Sequence, residues 1–187
     1  IPNTYEFYWN TSAKKIADKM AKEHKKFWTN ERLEKAKALN MTPAQVYTLA
    51  SIVHKETVKA DERPRVAGAY LNRINQDMPL QADPTVIYAI KETSGDFDQV
   101  IKRVGGSNLF VKSPYNTYIN KGLPPGPIAM PDISAIDAVL NAEKHDYIYF
   151  CADPNRPGYH AFETTYEAHM VNARKYAEWV NKLGIKL

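Results

Sequence analysis

The sequence predicts an α+β fold that is mainly helical and carries a small antiparallel sheet near its C-terminus. Three helix starts combine a capping or acidic residue with a nearby proline, at Thr42-Pro43, Asp61–Pro64 and Asp83-Pro84. Two short runs rich in aromatic side chains, residues 147–151 and 159–163, are of strand type. The expected order is therefore helices, a loop-rich middle, the sheet and a last helix.

The first 40 residues predict two helices after an aromatic segment. Tyr5–Trp9 is predicted as a short strand or an extended arm. Thr11 or Ser12 caps a helix that runs to about Trp28. A second helix is predicted over residues 30–40, with its first residue, an asparagine, as the cap.

The next helices have clear start signals. Thr42, Pro43 and Gln45 form a capping box with proline at the first helical position. The helix after residues 61–64 contains Ala67-Gly68-Ala69, which allows close packing on a neighbour.

Asp83 is expected to cap a short helix from Pro84 to about Ile90. Residues 97–104 are predicted as one more helix.

The second half of the sequence begins with a long segment that has no predicted secondary structure, and a helix, two strands and a last helix follow. Residues 105–131 have little pattern and include a proline-rich run at 122–127. A long irregular loop in a compact domain is often functional, and successive prolines make it stiff. A helix over 133–142 and the two strands follow. Thr164 or Thr165 then caps a last helix to Leu183, with a glycine behind it.

Length and composition predict that residues 1–187 form one domain with a proper core, or one domain with a small appendage. Hydrophobic residues make up 44% and charged residues 25%, as in globular proteins. No apolar run reaches the ~18 residues of a membrane span, and the chain begins with Ile1 rather than methionine. We therefore interpret it as a fragment without its upstream part. The net charge of +4 is mild, so a nucleic-acid partner is not expected.

Glu56 is the most informative residue. Val46, Leu49, Ile52 and Val53 form the apolar stripe of its helix. At about 100° per residue, Glu56 points within roughly 20° of Leu49. Burial disfavours the charged form of a carboxyl, and a neutral acid near neutral pH suits general acid catalysis. The alternative is a structural ion pair with a buried arginine, for which Arg63 and Arg73 are the candidates.

Other chemistries have less support. His54 and Glu56 lie about 160° apart on a helix, so they cannot hold one metal ion together. His54 is placed with Ser51 on a polar, solvated face. The single cysteine, Cys151, provides no zinc site and is expected to be an inert, buried thiol. Nucleophile-elbow and nucleotide-binding motifs do not occur. Neither a metal nor a cofactor is therefore expected.

Several segments together resemble one protein family. They are residues 2–9 (PNTYEFYW), 49–57 (LASIVHKET), 62–73 (ERPRVAGAYLNR), 78–88 (MPLQADPTVIY), 113–128 (SPYNTYINKGLPPGPI), 147–151 and 158–164 (GYHAFET). In this order they are similar to the catalytic domain of the bacterial endolytic murein transglycosylases, the MltG/YceG-like proteins. The Lys-Glu-Thr triplet also resembles the Gln-Glu-Ser segment of soluble lytic transglycosylases. His54 departs from the family, whose members often have Glu or Gln there.

The resemblance implies a reaction with a single carboxyl group. The family's catalytic acid falls on Glu56, which would protonate the bond between N-acetylmuramic acid and N-acetylglucosamine. The same group would then take the proton of the muramic C6 hydroxyl, leaving a 1,6-anhydro end. The expected groove lies between the Glu56 helix and the loop 113–128. Candidate groove contacts are Gln81, Asp83, Tyr115, Asn116, Thr117, Tyr118 and His160.

The resemblance also implies where the protein acts and with what. Peptidoglycan strands are the expected substrate, and peptidoglycan synthases are possible partners. The location would be the outer face of the inner membrane, through an upstream membrane helix and a LysM-like segment that this sequence lacks. Two alternatives stay open: a glycan-binding or scaffold module, and a muramidase with Asp83 or Glu62 as second carboxylate.

Overall fold

The computed structural model describes residues 1–101 and 104–182, and it confirms the α+β class. Within these residues, seven α-helices, one 3-10 turn and a two-stranded sheet follow one another. The helices are α1 (Ala13–Phe27), α2 (Asn30–Ala38), α3 (Pro43–Glu56), α4 (Arg63–Asn75), α5 (Asp83–Ser94), α6 (Ile133–Leu140) and α7 (Tyr166–Lys182). The 3-10 turn is Gly106–Phe110, and the strands are β1 (Tyr149–Ala152) and β2 (His160–Glu163).

Helix starts follow the sequence signals closely. Ser12 caps α1, and the predicted capping box of α3 is present, with the Thr42 and Gln45 side chains each bonded to the other's backbone N–H. The cap of α2 is Thr29 rather than the predicted asparagine, since Thr29 Oγ1 accepts from the Arg32 N–H. Thr165 Oγ1 accepts from the Ala168 N–H at the start of α7, as predicted.

Other predicted elements differ from those in the structure. Residues 5–9 form no strand, so the arm was the better of the two predictions. Residues 97–101 and 104 are not helical, while 102 and 103 lie outside the described residues. The predicted end of the last helix at Leu183, with its glycine, also lies outside them.

The core forms around α3, which packs against α4, α5 and α6. Leu49, Ile52 and Val53 of α3 are fully buried, as are Val66 of α4 and Ile136 of α6. Burying an apolar side chain of this size stabilises by about 1.5 to 3 kcal/mol, so this cluster fixes the direction of α3. The last residue of α3, Glu56, is thereby held in place by the core.

The face of α3 that was predicted to be polar is instead partly buried. Ser51 is 0% exposed, and its hydroxyl accepts from the Ile128 N–H of the proline-rich loop. His54 is also partly buried, with Nδ1 3.3 Å from Asp132 Oδ2. Burial lowers the pKa of His54. The prediction of a solvated face was wrong because the loop folds over it.

The antiparallel hairpin stands beside α4. Phe150 pairs with Phe162, and Ala152 pairs with His160. The Asn72 amide of α4 donates to the carbonyls of His145 and Tyr147, which fixes the strand that follows. Helix α7 packs on the hairpin. None of the helices in the described part of the chain has the length and hydropathy of a membrane span.

Gly68 allows the segment leading to β1 to approach α4. A β-carbon there would lie 2.7 Å from His145 Nε2 and would press on the Glu143 carbonyl. We expect Gly68→Ala to lower the free energy of unfolding by about 1 to 2 kcal/mol. The overpacking cost of about 2 to 3 kcal/mol exceeds the gain of about 1 kcal/mol in helix propensity.

Urea unfolding measures this effect, and Gly105→Ala is the matched control. Gly105 has an extended backbone, with φ 171°, and an added β-carbon meets nothing within 4 Å. Equal stability of the two variants would contradict the close approach at Gly68.

Candidate active site

A cavity of about 350 Å³ opens where the C-terminal end of α3 meets α4, the start of α5 and the hairpin. Polar and aromatic side chains predominate in its lining. They belong to Glu56, Tyr70, Arg73, Leu80, Gln81, Asp83, Tyr118, Phe150, Cys151, Ala152, His160 and Tyr176. The cavity thus brings together Glu56 and four of the seven predicted groove contacts.

Glu56 presents its carboxyl group to this cavity. The hydroxyl of Tyr70 donates to Glu56 Oε2 over 2.8 Å. Burial raises the pKa of Glu56 above its ordinary value of 4.5. The Tyr70 hydrogen bond and His160 oppose this shift, while Asp83 adds to it. The net direction favours the protonated acid.

Tyr70 fixes the orientation of that acid. It is 1% exposed, and its ring meets Phe150 edge to face with centroids 5.5 Å apart. Burial, together with the charge of Glu56, keeps the pKa of Tyr70 well above its ordinary value. Tyr70 therefore stays a hydrogen-bond donor, and Glu56 Oε1 is left for a second partner.

Neither candidate arginine forms an ion pair with Glu56 in the described structure. Arg63 lies 3.4 Å from Asp132 Oδ2 and donates to the Ser134 hydroxyl. Arg73 donates to backbone carbonyls, at 2.6 Å for Ile148 and 2.9 Å for Leu80. Arg73 thus ties the segment before α5 to the strand β1 and shapes the cavity.

Gln81 and Asp83 reach the cavity from the start of α5. Gln81 has a left-handed backbone, with φ 52°, and its N–H donates to the Thr117 carbonyl. Such strain in a residue other than glycine is often found at functional sites. Asp83 is the first residue of α5 and makes no capping bond, contrary to prediction. It instead accepts from the Tyr118 hydroxyl at 2.6 Å, and burial raises the pKa of Tyr118.

His160 is held by a second glutamate, Glu62. The His160 backbone N–H donates to Glu62 Oε1 at 2.7 Å, and His160 Nδ1 lies 2.8 Å from Oε2. Glu62 is 6% exposed. Burial alone would raise the pKa of Glu62, but the bonds to His160 outweigh it and lower that pKa. Both oxygens of Glu62 are therefore occupied, unlike those of Glu56.

Three of the predicted groove contacts do not line the cavity. Asn116 is 0% exposed, and its amide donates to the Leu109 and Val111 carbonyls. The Thr117 hydroxyl accepts from the Ala82 N–H. Tyr115 packs on another aromatic ring, that of Tyr88. Asn116 and Thr117 hold the loop that carries Tyr118, so their observed contacts are structural.

Sequence reasoning missed several lining residues. Tyr70 was not among the predicted contacts, although its hydroxyl needs a buried partner and Glu56 offers one. Phe150 and Tyr176 carry no local signal, because tertiary packing alone brings them to the cavity. Cys151 also lines the cavity and is partly buried, and burial raises the pKa of its thiol, which keeps it protonated.

The geometry suits acid–base chemistry, because Glu56 lines the cavity with a raised pKa and Asp83 adds a second carboxyl group there. In the described residues, no group of three or more His, Cys, Asp and Glu side chains could hold a metal ion. Residues 1–175 match the sequence model of the YceG-like family, so the chain belongs to that family.

Named relatives agree with this membership. The chain is 35% identical over 97% of its length to an endolytic murein transglycosylase of Bacillus subtilis. It is 34% identical over 82% of its length to the protein of that name from Streptococcus pneumoniae serotype 2. A crystal structure of a YceG-like protein from Listeria monocytogenes superposes with a TM-score of 0.75 at 35% identity, covering 91% of this chain and 53% of the other. The chain spans 48% of the Bacillus protein and 27% of the Streptococcus protein.

The two glutamates predict opposite effects of pH on stability. The pKa of Glu62 is lowered on folding, so its stabilising contribution is lost as the pH falls below 4.5. We expect Glu62→Gln to be less stable than wild type at neutral pH, by about 1 to 3 kcal/mol. This deficit should shrink in acid, as thermal unfolding at about pH 3 and about pH 7 measures.

Glu56→Gln is the matched control of opposite sign. The pKa of Glu56 is raised on folding, so wild type loses stability as the pH rises above 4.5. The stability of Glu56→Gln relative to wild type should therefore increase as the pH rises. If both variants changed in the same direction with pH, the assigned environments would be wrong.

Proposed function

We propose that this chain is the catalytic part of an endolytic lytic transglycosylase that acts on peptidoglycan. It would cleave the bond between N-acetylmuramic acid and N-acetylglucosamine inside a glycan strand. The observation that carries the proposal is Glu56, whose pKa is raised by burial in a cavity of polar and aromatic side chains. The names of the Bacillus and Streptococcus relatives support the same reaction.

Glu56 acts first as a general acid. Tyr70 donates to Oε2, so the proton to be transferred is held on Oε1, facing the cavity. Its transfer to the glycosidic oxygen lets the bond to the muramic C1 break, and the N-acetylglucosamine leaves with a new 4-hydroxyl. Positive charge develops at C1, and the Asp83 carboxylate in the same cavity stabilises it.

Glu56 then acts as a general base. As a carboxylate it takes the proton of the muramic C6 hydroxyl, and the C6 oxygen bonds to C1. The product is a 1,6-anhydro ring, no water is consumed, and Glu56 regains its proton. Such a cycle needs a pKa near the working pH, for which the raised pKa of Glu56 is suited.

The other cavity residues position the sugars. Gln81 and Tyr118 offer an amide and a hydroxyl at one side, and His160 lies opposite on β2. Because Glu62 holds both the backbone and the ring of His160, this histidine presents a fixed Nε2. We propose these three, with Asp83, as the substrate contacts.

A muramidase is the second candidate, and Asp83 is the observation that favours it. Its carboxylate lines the cavity, and only its Oδ1 accepts from Tyr118. A second carboxylate could activate water for attack at C1. Glu62 is the weaker choice for this role, since both of its oxygens are bonded to His160.

The cellular setting is part of the proposal. Peptidoglycan as substrate implies action outside the cytoplasmic membrane, with peptidoglycan synthases as proposed partners. An upstream membrane anchor is likewise proposed from the resemblance. A non-catalytic scaffold module is disfavoured, because binding alone would not require an acid whose pKa is raised by burial.

The ends of the products distinguish the two reactions. We expect digestion of purified glycan strands to give 1,6-anhydromuramic ends, because Glu56 alone can complete the cycle. Mass spectrometry separates these ends from hydrolysed ones by the mass of one water. Reducing ends in wild type that disappear in Asp83→Asn would instead identify a muramidase.

Glu56→Gln tests the catalytic acid. The variant keeps an oxygen for the Tyr70 hydroxyl but can neither give nor take the proton. General acid–base catalysis contributes about 10²- to 10⁴-fold, so the rate of strand cleavage should fall at least that far. Tyr47→Phe, remote from the cavity lining, is the control. Cleavage by Glu56→Gln near the wild-type rate would refute the assignment.

A further inference from the structure

A second groove of about 350 Å³ lies beside the active-site cavity. One face of α5 supplies Pro84, Ile87, Tyr88 and Lys91, which recur at helical spacing. Lys55, from the end of α3, stands on the other side.

The groove and the active site share their two walls. Lys55 precedes Glu56 on α3, and Pro84 follows Asp83 on α5. In each pair, one residue lines the groove and its neighbour lines the cavity. A substituent on a sugar bound at Glu56 therefore has a short path into the groove.

The chemistry of the groove differs from that of the cavity. Apart from the Tyr88 hydroxyl and the two lysine ammonium groups, the side chains that line it are apolar. Among the described residues, its lining includes no amide or carboxylate side chain of the kind that binds sugar hydroxyls. Lysine has three donors and no acceptor, so it pairs with anions such as carboxylates. Short aliphatic groups and carboxylates are the complementary ligand.

The wall that carries Lys91 is rigid. Lys91 Nζ donates to the Phe97 carbonyl at 2.9 Å, and the Tyr88 ring contacts Phe97 with centroids 5.9 Å apart. Tyr115 packs on the other side of Tyr88 at 4.6 Å. Tyr115, which the resemblance predicts to contact the glycan, thus supports the residue that lines this second groove, Tyr88.

We propose that this groove binds the short, carboxylate-bearing peptide that hangs from the muramic acid of a glycan strand. Lys55 and Lys91 pair with its carboxylates, and the apolar face of α5 accepts its aliphatic side chains. The inference rests on the proposed substrate, and it makes the chain selective for strands that still carry peptides.

A binding measurement tests this inference independently of the proposed reaction. The Glu56→Gln protein is titrated with peptide-bearing strands and with strands from which an amidase has removed the peptides. The double variant Lys55→Gln/Lys91→Gln removes both lysine partners of the proposed ion pairs. Because such partly exposed pairs are weak, we expect it to lower the preference for peptide-bearing strands by about 2- to 30-fold. Added salt should reduce the preference of the Glu56→Gln parent in the same direction.

Two further variants make the result unambiguous. Lys22→Gln/Lys37→Gln removes the same charge from α1 and α2, which line neither the cavity nor the groove, and should keep the preference. Lys55→Gln alone removes one charge and leaves the hydrogen bond between Lys91 and the Phe97 carbonyl intact. An unchanged preference in the groove variants, or an equal loss of affinity for both kinds of strand, would overturn the inference. Whether wild type cleaves peptide-bearing strands to 1,6-anhydro ends is a separate readout, and its failure would count against the proposed reaction alone.

Discussion

The site depends on the cost of removing one carboxyl group from water. Glu56 ends a helix whose inner residues, Leu49, Ile52 and Val53, are fully buried. The core fixes this helix, so the carboxyl is held at the cavity wall, where it is only partly exposed. An unpaired buried charge costs several kcal/mol, and a protonated acid avoids most of that cost. The raised pKa of Glu56 is thus a consequence of how the helix packs.

Two glutamates six positions apart have opposite environments. Glu62 has both oxygens bonded to His160, and its pKa is lowered, so it behaves as a fixed structural anion. Among the described residues, Glu56 has a single hydrogen-bond donor, Tyr70, which only partly offsets the desolvation. The fold thereby provides the proposed acid, Glu56, and a fixed anion, Glu62, which suits the proposed reaction, in which a single carboxyl group acts twice.

Much of the framework could be predicted from the sequence, because helix starts are local signals. The capping box at Thr42 and the helical spacing placed Glu56 correctly on the inner side of α3. The glycine in α4 correctly indicated a close neighbour. The face with Ser51 and His54 was misjudged, because a loop about 77 residues further along the chain covers it.

The site was predictable only in part, for a related reason. Asp83 and His160, predicted because they lie in recognisable motifs, do line the cavity, and their contact with substrate stays a prediction. Asn116 has the polarity of a ligand contact but uses it to hold its own loop. Tyr70 and Tyr176 reach the cavity through packing between distant helices and the hairpin, which no local pattern records.

The proposed role of Glu56 depends on burial raising its pKa. The most direct measurement is an NMR titration of the wild-type protein with ¹³C-labelled glutamate side chains. The Glu56 resonance is identified by its absence in Glu56→Gln. We expect a midpoint above 4.5, because burial disfavours the charged form. A midpoint at or below that value would show that Glu56 is an ordinary or stabilised carboxylate, and it would contradict the assignment of this residue as the proton donor.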